Sequence, residues 1–408
     1  MKTLPLALLL ALPLALFAEE NWTQFRGPGG QGVSAETAMA QKWDASAVAW
    51  KTTLKGEGQS SVVNWGDKLF VTSATDAGKT RWVHCLDRKT GKLIWEQSVP
   101  CDKPEAKHTM NSWATASCVT DGERVIAFFG PAGIHCYDLD GKAQWSRPLG
   151  DFPGGWGVGA SPVIDGGLVY QNCDATGPSS IVALNKKTGE PAWTTKRPDA
   201  PRGGWSTPIL IEAGGRRELV LNGEASVNAY DPATGKDLWF AKAPTGRGEP
   251  MPIFSNGNLY VVCGKPGNTY VIKPGGSGDV TTSHRVWEAR RQGGRDLPSP
   301  SVAGDFVLIS SMSGILTTYD AKSGETLFTE RLKEANSAIS AAPVVAGGLV
   351  YFQLENGEVV VVKPGKKLEI VSINAVGSAP EEIFRASLSP IQGQWFARSQ
   401  STVYCIGK

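Results

Sequence analysis

The sequence predicts an all-β fold: an eight-bladed β-propeller of four-stranded antiparallel blades, its ring closed by an N-terminal strand joining the C-terminal blade. Three observations carry this. A hairpin sentence recurs, best seen in Ile181-Val-Ala-Leu-Asn-Lys-Lys-Thr-Gly-Glu-Pro-Ala-Trp193 and again in 84–95, 135–145, 228–239 and 317–328. Aromatic anchors Trp50, Trp95, Trp145, Trp193, Trp239, Trp287 and Phe328 follow at spacings of 45, 50, 48, 46, 48 and 41 residues. A second register, Pro162, Pro208, Pro252, Pro300, Pro343 and Pro390, repeats at 46, 44, 48, 43 and 47. A period of this length dictates a repeat architecture and takes precedence over any count of domains from chain length.

Each element has a local reason. In the hairpin, Asn185 bonds the turn backbone and Gly189 takes the left-handed conformation that closes it. The prolines open strands, because a residue without N–H is tolerated at a strand's first position. Val62 and Cys118 stand at that position in the first two copies, which makes eight openings. Each unit holds about four short strands, the arithmetic of eight blades. The last unit, 385–408, holds three at most, and Ala47-Val-Ala-Trp-Lys-Thr-Thr-Leu54 supplies the fourth from the other end. Closing the ring covers the edges that an open one exposes. The anchor aromatics are expected to pack blade against blade; burying a Trp removes about 150–250 Å² from water, and its truncation costs about 3–5 kcal/mol.

Residues 1–18 read as a signal peptide, with Lys2 as the positive end, the apolar run Leu4–Phe17 and cleavage at Ala18. Residues 19–46 form an N-terminal arm whose Trp22, Phe25 and Trp43 pack on the outside of the propeller or across one face, and 47–408 form one propeller domain. The expectation is an exported bacterial protein, periplasmic or secreted, monomeric, with no transmembrane segment after processing. Loss of Lys2 takes the formal charge from +2 to +1. That near-neutral balance argues against nucleic acid as a partner. Of the seven cysteines, Cys85, Cys136 and Cys405 occupy a repeat position held elsewhere by Ala183 and Ala229, so they read as small core residues rather than disulfide partners. Cys101, in the polar connector Pro100–Lys107, is expected to be the most exposed.

Connections from the outer strand of one blade to the inner strand of the next gather at one mouth of the central channel. The candidate ligand-binding residues lie there: His108, Trp156, Arg202, Trp205, Arg247, Glu249, Arg295, Asp296 and Arg385. Arginine forks suit carboxylate or phosphate groups, indoles offer stacking faces, and Glu249 and Asp296 pair with the arginines or serve as acids, bases or ion ligands. An internal ring of ion pairs that seals the channel accounts for the same charges, and packing accounts for the tryptophans. No catalytic residue is assignable. The chain has no Cys-x-x-Cys-His, His-Glu-x-x-His, Gly-x-Ser-x-Gly or phosphate-loop motif, and no metal site is read from the sequence.

The pattern Ala-x-Asp/Asn-x-x-Thr-Gly-x-x-x-Trp resembles the repeat of PQQ-like, quinoprotein-type β-propellers from about Asn21 to Lys408. The segment Asn21-Trp-Thr-Gln-Phe-Arg-Gly-Pro28 resembles the start of many secreted bacterial members. The family includes PQQ-dependent alcohol and sugar dehydrogenases and the propeller lipoprotein of the outer-membrane barrel-assembly machine. The resemblance therefore implies two functions. The first is a non-catalytic binding or scaffold module that engages a protein partner or an anionic small molecule at the mouth. The alternative is a quinoprotein dehydrogenase holding PQQ and calcium. The alcohol-dehydrogenase branch carries an adjacent Cys–Cys pair and considerably longer chains; this sequence has no such dipeptide, and that branch's calcium ligands and base have no assignable counterpart. No cysteine follows the apolar leader to carry the lipid of the assembly-machine member. Glycan binding or cleavage is a third possibility, without a motif.

Overall fold

The computed structural model describes residues 21–197, 204–242, 248–264, 268–290, 298–333 and 338–407. They form eight antiparallel sheets in a ring. From inner to outer strand, blade 1 runs from Val63–Trp65 to Leu93–Pro100, blade 2 from Val119–Thr120 to Ala143–Arg147, and blade 3 from Val163–Asp165 to Pro191–Lys196. Blade 4 runs from Ile209–Ala213 to Asp237–Lys242, blade 5 from Ile253–Ser255 to Arg285–Arg290, and blade 6 from Ser301–Ala303 to Thr326–Arg331. Blade 7 runs from Val344–Ala346 to Ile370–Asn374. Blade 8 begins at Ser389–Ile391 and takes its outer strand, Val48–Thr53, from the N-terminal end. That strand lies antiparallel to Thr402–Ile406, with Thr53 opposite Thr402 and Trp50 opposite Cys405. The eight-bladed, N-terminally closed ring expected from the repeats is the observed architecture. Blade 4 departs from the four-strand pattern, because Gly278–Asp279 adds a fifth, parallel strand beside Trp239 and Phe240. Among the described residues, helix is limited to four 3₁₀ turns of three residues each, and no helix is long and apolar enough to cross a membrane.

The repeated turn explains the repeated sequence. The Asp or Asn that opens it caps it: Asn185 Oδ1 accepts from the N–H groups of Lys187 (2.9 Å) and Thr188 (3.2 Å), and Asp231, Asp320 and Asp87 do the same in their blades. The closing glycine has two duties. Gly189 has φ +72°, and a Cβ built on it meets the Trp145 ring at 2.6 Å. The anchor of one blade therefore lies flat on the turn of the next. Its indole N–H then donates to a carbonyl of that turn: Trp50 to Arg88, Trp95 to Leu139, Trp145 to Lys186, Trp193 to Pro232 and Trp287 to Ala321, all at 2.8–3.0 Å. Each outer strand also bulges by one residue beside its anchor position, as between Cys85/Leu86 and Ala183/Leu184. Such bulges twist an edge away from further pairing.

Three seams differ. Trp239 is fully buried and bonds Glu218 Oε2 (2.8 Å) within its own blade, because the turn of blade 5 is lengthened and carries the extra strand over it. Phe328 packs without an N–H at the seam between blades 6 and 7. In blade 7 the anchor position, opposite Val361, is Ser372. Blade 8 has no turn to receive an anchor there, since its outer strand comes from the other end of the chain. Trp43 of the arm fills the gap. Its ring lies 6.4 Å from Tyr351 and 6.3 Å from Trp395, and its backbone N–H donates to Asn374 Oδ1 (2.9 Å).

Two expectations need correction. Pro390 does not open the last strand. It pairs with Trp395 inside Ser389–Ile391, and the position equivalent to Pro162 is Leu388, two residues earlier. An inner strand has a free edge, so proline fits within it. Cys101 is buried rather than exposed, because Arg81 donates to its sulfur (3.6 Å) and pairs with Glu105 (2.8 Å), which pins the connector onto blade 1. All seven cysteines are buried and unbridged. Desolvation pushes the thiols of Cys85, Cys118, Cys136, Cys263 and Cys405 up to about 12.

Candidate functional site

The arm crosses one face of the ring and closes that end of the channel. Asn64 and Thr120 donate to the carbonyls of Trp22 and Thr23, and Phe254 N–H donates to Gln31 Oε1. Val345 N–H donates to the Gly32 carbonyl, and Gln392 N–H to Glu36. The buried Arg26 reaches the Pro300 carbonyl (2.9 Å). Six blades are thus tied to one strap, and Phe25 lies at the floor of a cup of about 220 Å³ open at the other mouth. Of the two placements expected for the arm, the structure has the one across a face.

The wall of the cup repeats with the blades. The residue just before each strand opening is Ser61, Ser117, Ser161, Thr207, Met251, Ser299, Ala342 or Ser387. Backbone N–H groups donate around the ring to the next blade's hydroxyl: Ser61 to Ser117 (2.8 Å), Ser117 to Ser161 (3.0 Å), Ser161 to Thr207 (2.9 Å), Met251 to Ser299, Ala342 to Ser387 and Ser387 to Ser61 (each 3.0 Å). The two missing links fall where Met251 and Ala342 have no hydroxyl. The circle satisfies strand-end N–H groups that have no ladder partner on the channel side.

The rim comes from the connectors. Of the nine candidates, His108, Trp156, Trp205, Glu249 and Arg385 line the cup. Arg202, Arg247, Arg295 and Asp296 lie outside the described residues. His108 stacks on Trp156, with ring centroids 5.1 Å apart, and its Nδ1 accepts from Met110 N–H (3.2 Å). Trp205 Nε1 donates to the Gly157 carbonyl (3.1 Å). Asn111 Nδ2 donates to the Trp156 carbonyl (2.8 Å). Arg385 is forked onto Glu355 (3.0 and 3.3 Å) and donates to the Met110 carbonyl (3.1 Å), so its charge is spent inside the protein. Gln59 donates to the same carbonyl (2.8 Å). This Gln59–Met110–Arg385 clasp separates the cup from a groove of about 330 Å³ between blades 8 and 1, floored by Trp113. Trp113 is itself packed: Gly78 lies against its ring, the Lys107 ammonium sits 4.5 Å from the ring centroid, and its indole donates to the Glu105 carbonyl.

Sequence reasoning missed Phe25, Asn111, Glu355 and the hydroxyl circle. The circle had a signal, a Ser or Thr directly before the strand-opening proline in 161, 207 and 299. Glu355 had none, because it meets Arg385 only through folding. His84 is buried in blade 1 and His135 half-buried in blade 2, and neither lines the cup. His84 bonds Ser73 (2.7 Å) and faces Glu96 (3.4 Å). Ser73 gives its own proton to the Lys55 carbonyl, so this Ser–His–Glu line is a seam between blades 8 and 1 and not a nucleophile.

The residues described do not fit a planar tricarboxylate with a calcium ion. Arg385 is committed to Glu355. Among the described residues, no three His, Cys, Asp or Glu side chains gather as ion ligands.

Comparison with known proteins follows this geometry. A family model described as outer membrane protein assembly factor BamB matches residues 33–171, 79–330 and 276–369. The outer membrane protein assembly factor BamB of Burkholderia pseudomallei (strain K96243) is 22% identical over 358 residues, covering 74% of this chain and 84% of that protein. A polyvinylalcohol dehydrogenase of Pseudomonas sp is 24% identical over 349 residues, covering 68% of this chain but only 52% of that enzyme, so the match spans about half its length. Among solved structures, the quinohemoprotein alcohol dehydrogenase of Comamonas testosteroni superposes with a TM-score of 0.69 at 12% identity, covering 95% of this chain and 81% of that one. At that identity the likeness concerns the fold. With the family model spanning most of the ring, the chain belongs to the PQQ-like β-propeller family described as outer membrane protein assembly factor BamB.

Proposed function

We propose that the protein is an exported, non-catalytic β-propeller, a binding or scaffold module that engages its ligand or partner at the open mouth of the cup. One observation carries the reading: the arm closes the channel's other end, and what faces the mouth is a wall of hydroxyls, amides and stacked rings with its described arginine neutralised. Such a wall suits recognition and holding of a ligand. The relative named an assembly factor supports a protein partner. The leader-like residues 1–18 support export, with 19–46 as the strap and 47–408 as one domain.

The match to a polyvinylalcohol dehydrogenase favours a second reading, oxidation with PQQ and calcium. The cup's donor set counts against it. Calorimetric titration of the mature protein with PQQ, with and without calcium, separates the two. The binding-module reading expects no saturable heat. Tight, calcium-dependent binding that weakens in Arg385→Ala overturns it and calls for a screen of alcohols and sugars with an artificial electron acceptor.

A further inference from the structure

The hydroxyl circle has an unspent half. Ser61, Ser117, Ser161, Thr207, Ser299 and Ser387 each accept one backbone N–H. None of the six donates its own proton to an acceptor among the described residues. All six line the cup, and each is at most 5% exposed. The cup therefore holds hydroxyl donors fixed at blade spacing, whose oxygens are pinned by the fold. They call for a ligand rich in oxygen acceptors.

Three further features narrow its class. The rim offers rings held in place by their own bonds, His108 on Trp156 and Trp205 tied to Gly157. These suit a flat C–H face. A peptide strand would need ladder partners, but the inner-strand N–H groups of this layer are already given to the neighbouring hydroxyls. Finally, the cup does not end at its rim. The groove between blades 8 and 1 shares Gln59, Asn111 and Arg385 with it, and only the clasp on the Met110 carbonyl lies between.

We propose that cup and groove form one site for a linear oligosaccharide. One sugar ring lies against the rim aromatics with its hydroxyls over the serine circle, and the chain continues past Asn111 into the groove beside Trp113. This rests on the mouth being the binding face. Sugars match the lining because each hydroxyl both accepts and donates, while the ring face is apolar.

The test is calorimetric titration of the folded mature protein with cello-, xylo-, malto- and chito-oligosaccharides of increasing length. At least one series is expected to bind, with affinity rising from disaccharide to hexamer as the groove fills. Trp156→Ala is expected to weaken it by roughly tenfold. Asn111→Ala, which leaves the hydroxyl circle intact, is expected to weaken long chains more than short ones. Both variants should melt like wild type, so a loss of fold is not mistaken for a loss of site. Absence of binding by every series at millimolar concentration overturns the proposal, as does binding indifferent to both substitutions. If a purified protein partner is instead released by Trp156→Ala, the saccharide falls and the mouth stands. If neither sugar nor partner responds to mouth variants, both fall.

Discussion

The seam between blades 2 and 3 and the seam between blades 7 and 8 solve one problem by different means. At the first, Trp145 lies on Gly189 and donates to the Lys186 carbonyl, so residues 44 positions apart staple consecutive blades. At the second, the staple is missing on both sides: Ser372 replaces the aromatic, and blade 8 has no receiving turn. Trp43 arrives from the far end of the chain and stacks between Tyr351 and Trp395, while Ser372 and Asn374 side chains donate to the Gln41 carbonyl. The repeat stabilises its interior by copying. Where the copying stops, a segment outside the repeat takes over. The same strap that seals the last seam also closes the floor of the cup, so ring closure and site formation depend on one stretch of chain.

The largest expected effect comes from removing the closing strand. Deleting Val48–Thr53 leaves Thr402–Ile406 with an open edge and detaches the strap from its blade. Thermal melting should lose its cooperative transition or shift far downward, and a deletion variant that melts with wild type would break the closure argument. Next is the comparison itself. Trp43→Ala should cost about 3–5 kcal/mol in chemical denaturation, against about 2–3 kcal/mol for Trp145→Ala, whose ring is half exposed. Equal costs would mean that the strap is simply another staple. A cost for Trp43→Ala as small as a surface change would mean that the last seam holds without it.

The smallest effect concerns the seam between blades 8 and 1. Burial, and then the Arg398 charge, push the His84 imidazole down to about 4, with Glu96 opposing. The unfolded chain takes up a proton near 6.5 while the folded one does not. Stability from this site is therefore complete above that pH and is lost as pH falls from 6.5 toward 4. His84→Gln, which keeps a donor toward Ser73, should flatten the decline by about 2 kcal/mol between pH 7 and 5. Parallel stability–pH curves for the two proteins would show that the histidine is not held neutral.

The legible part of this protein was the part written eight times. Turn caps such as Asn185 and Asp231, the closing glycines and the anchor spacings each act over a few residues, so sequence alone specifies them. Pro390 misled because a proline is compatible with the whole free edge of an inner strand, not only its first residue. Cys101 misled because polar surroundings in sequence do not reveal a buried Arg81–Glu105 pair that draws a connector inward.

What the sequence determined by itself was the blade, the number of blades and the strand that closes them, because a periodic pattern fixes local geometry and its repetition fixes the ring. It also placed five described candidates in connectors that line the cup, since connector topology follows from the fold. The tertiary structure alone decided that the arm blocks one end of the channel, that Arg385 is spent on Glu355, that Trp43 completes the last seam and that serines from successive blades join into a circle. The physical reason is common to all four. Each is a contact between segments far apart in the chain, selected by which groups are left unpaired or exposed after the ring has formed, and no local pattern records that remainder.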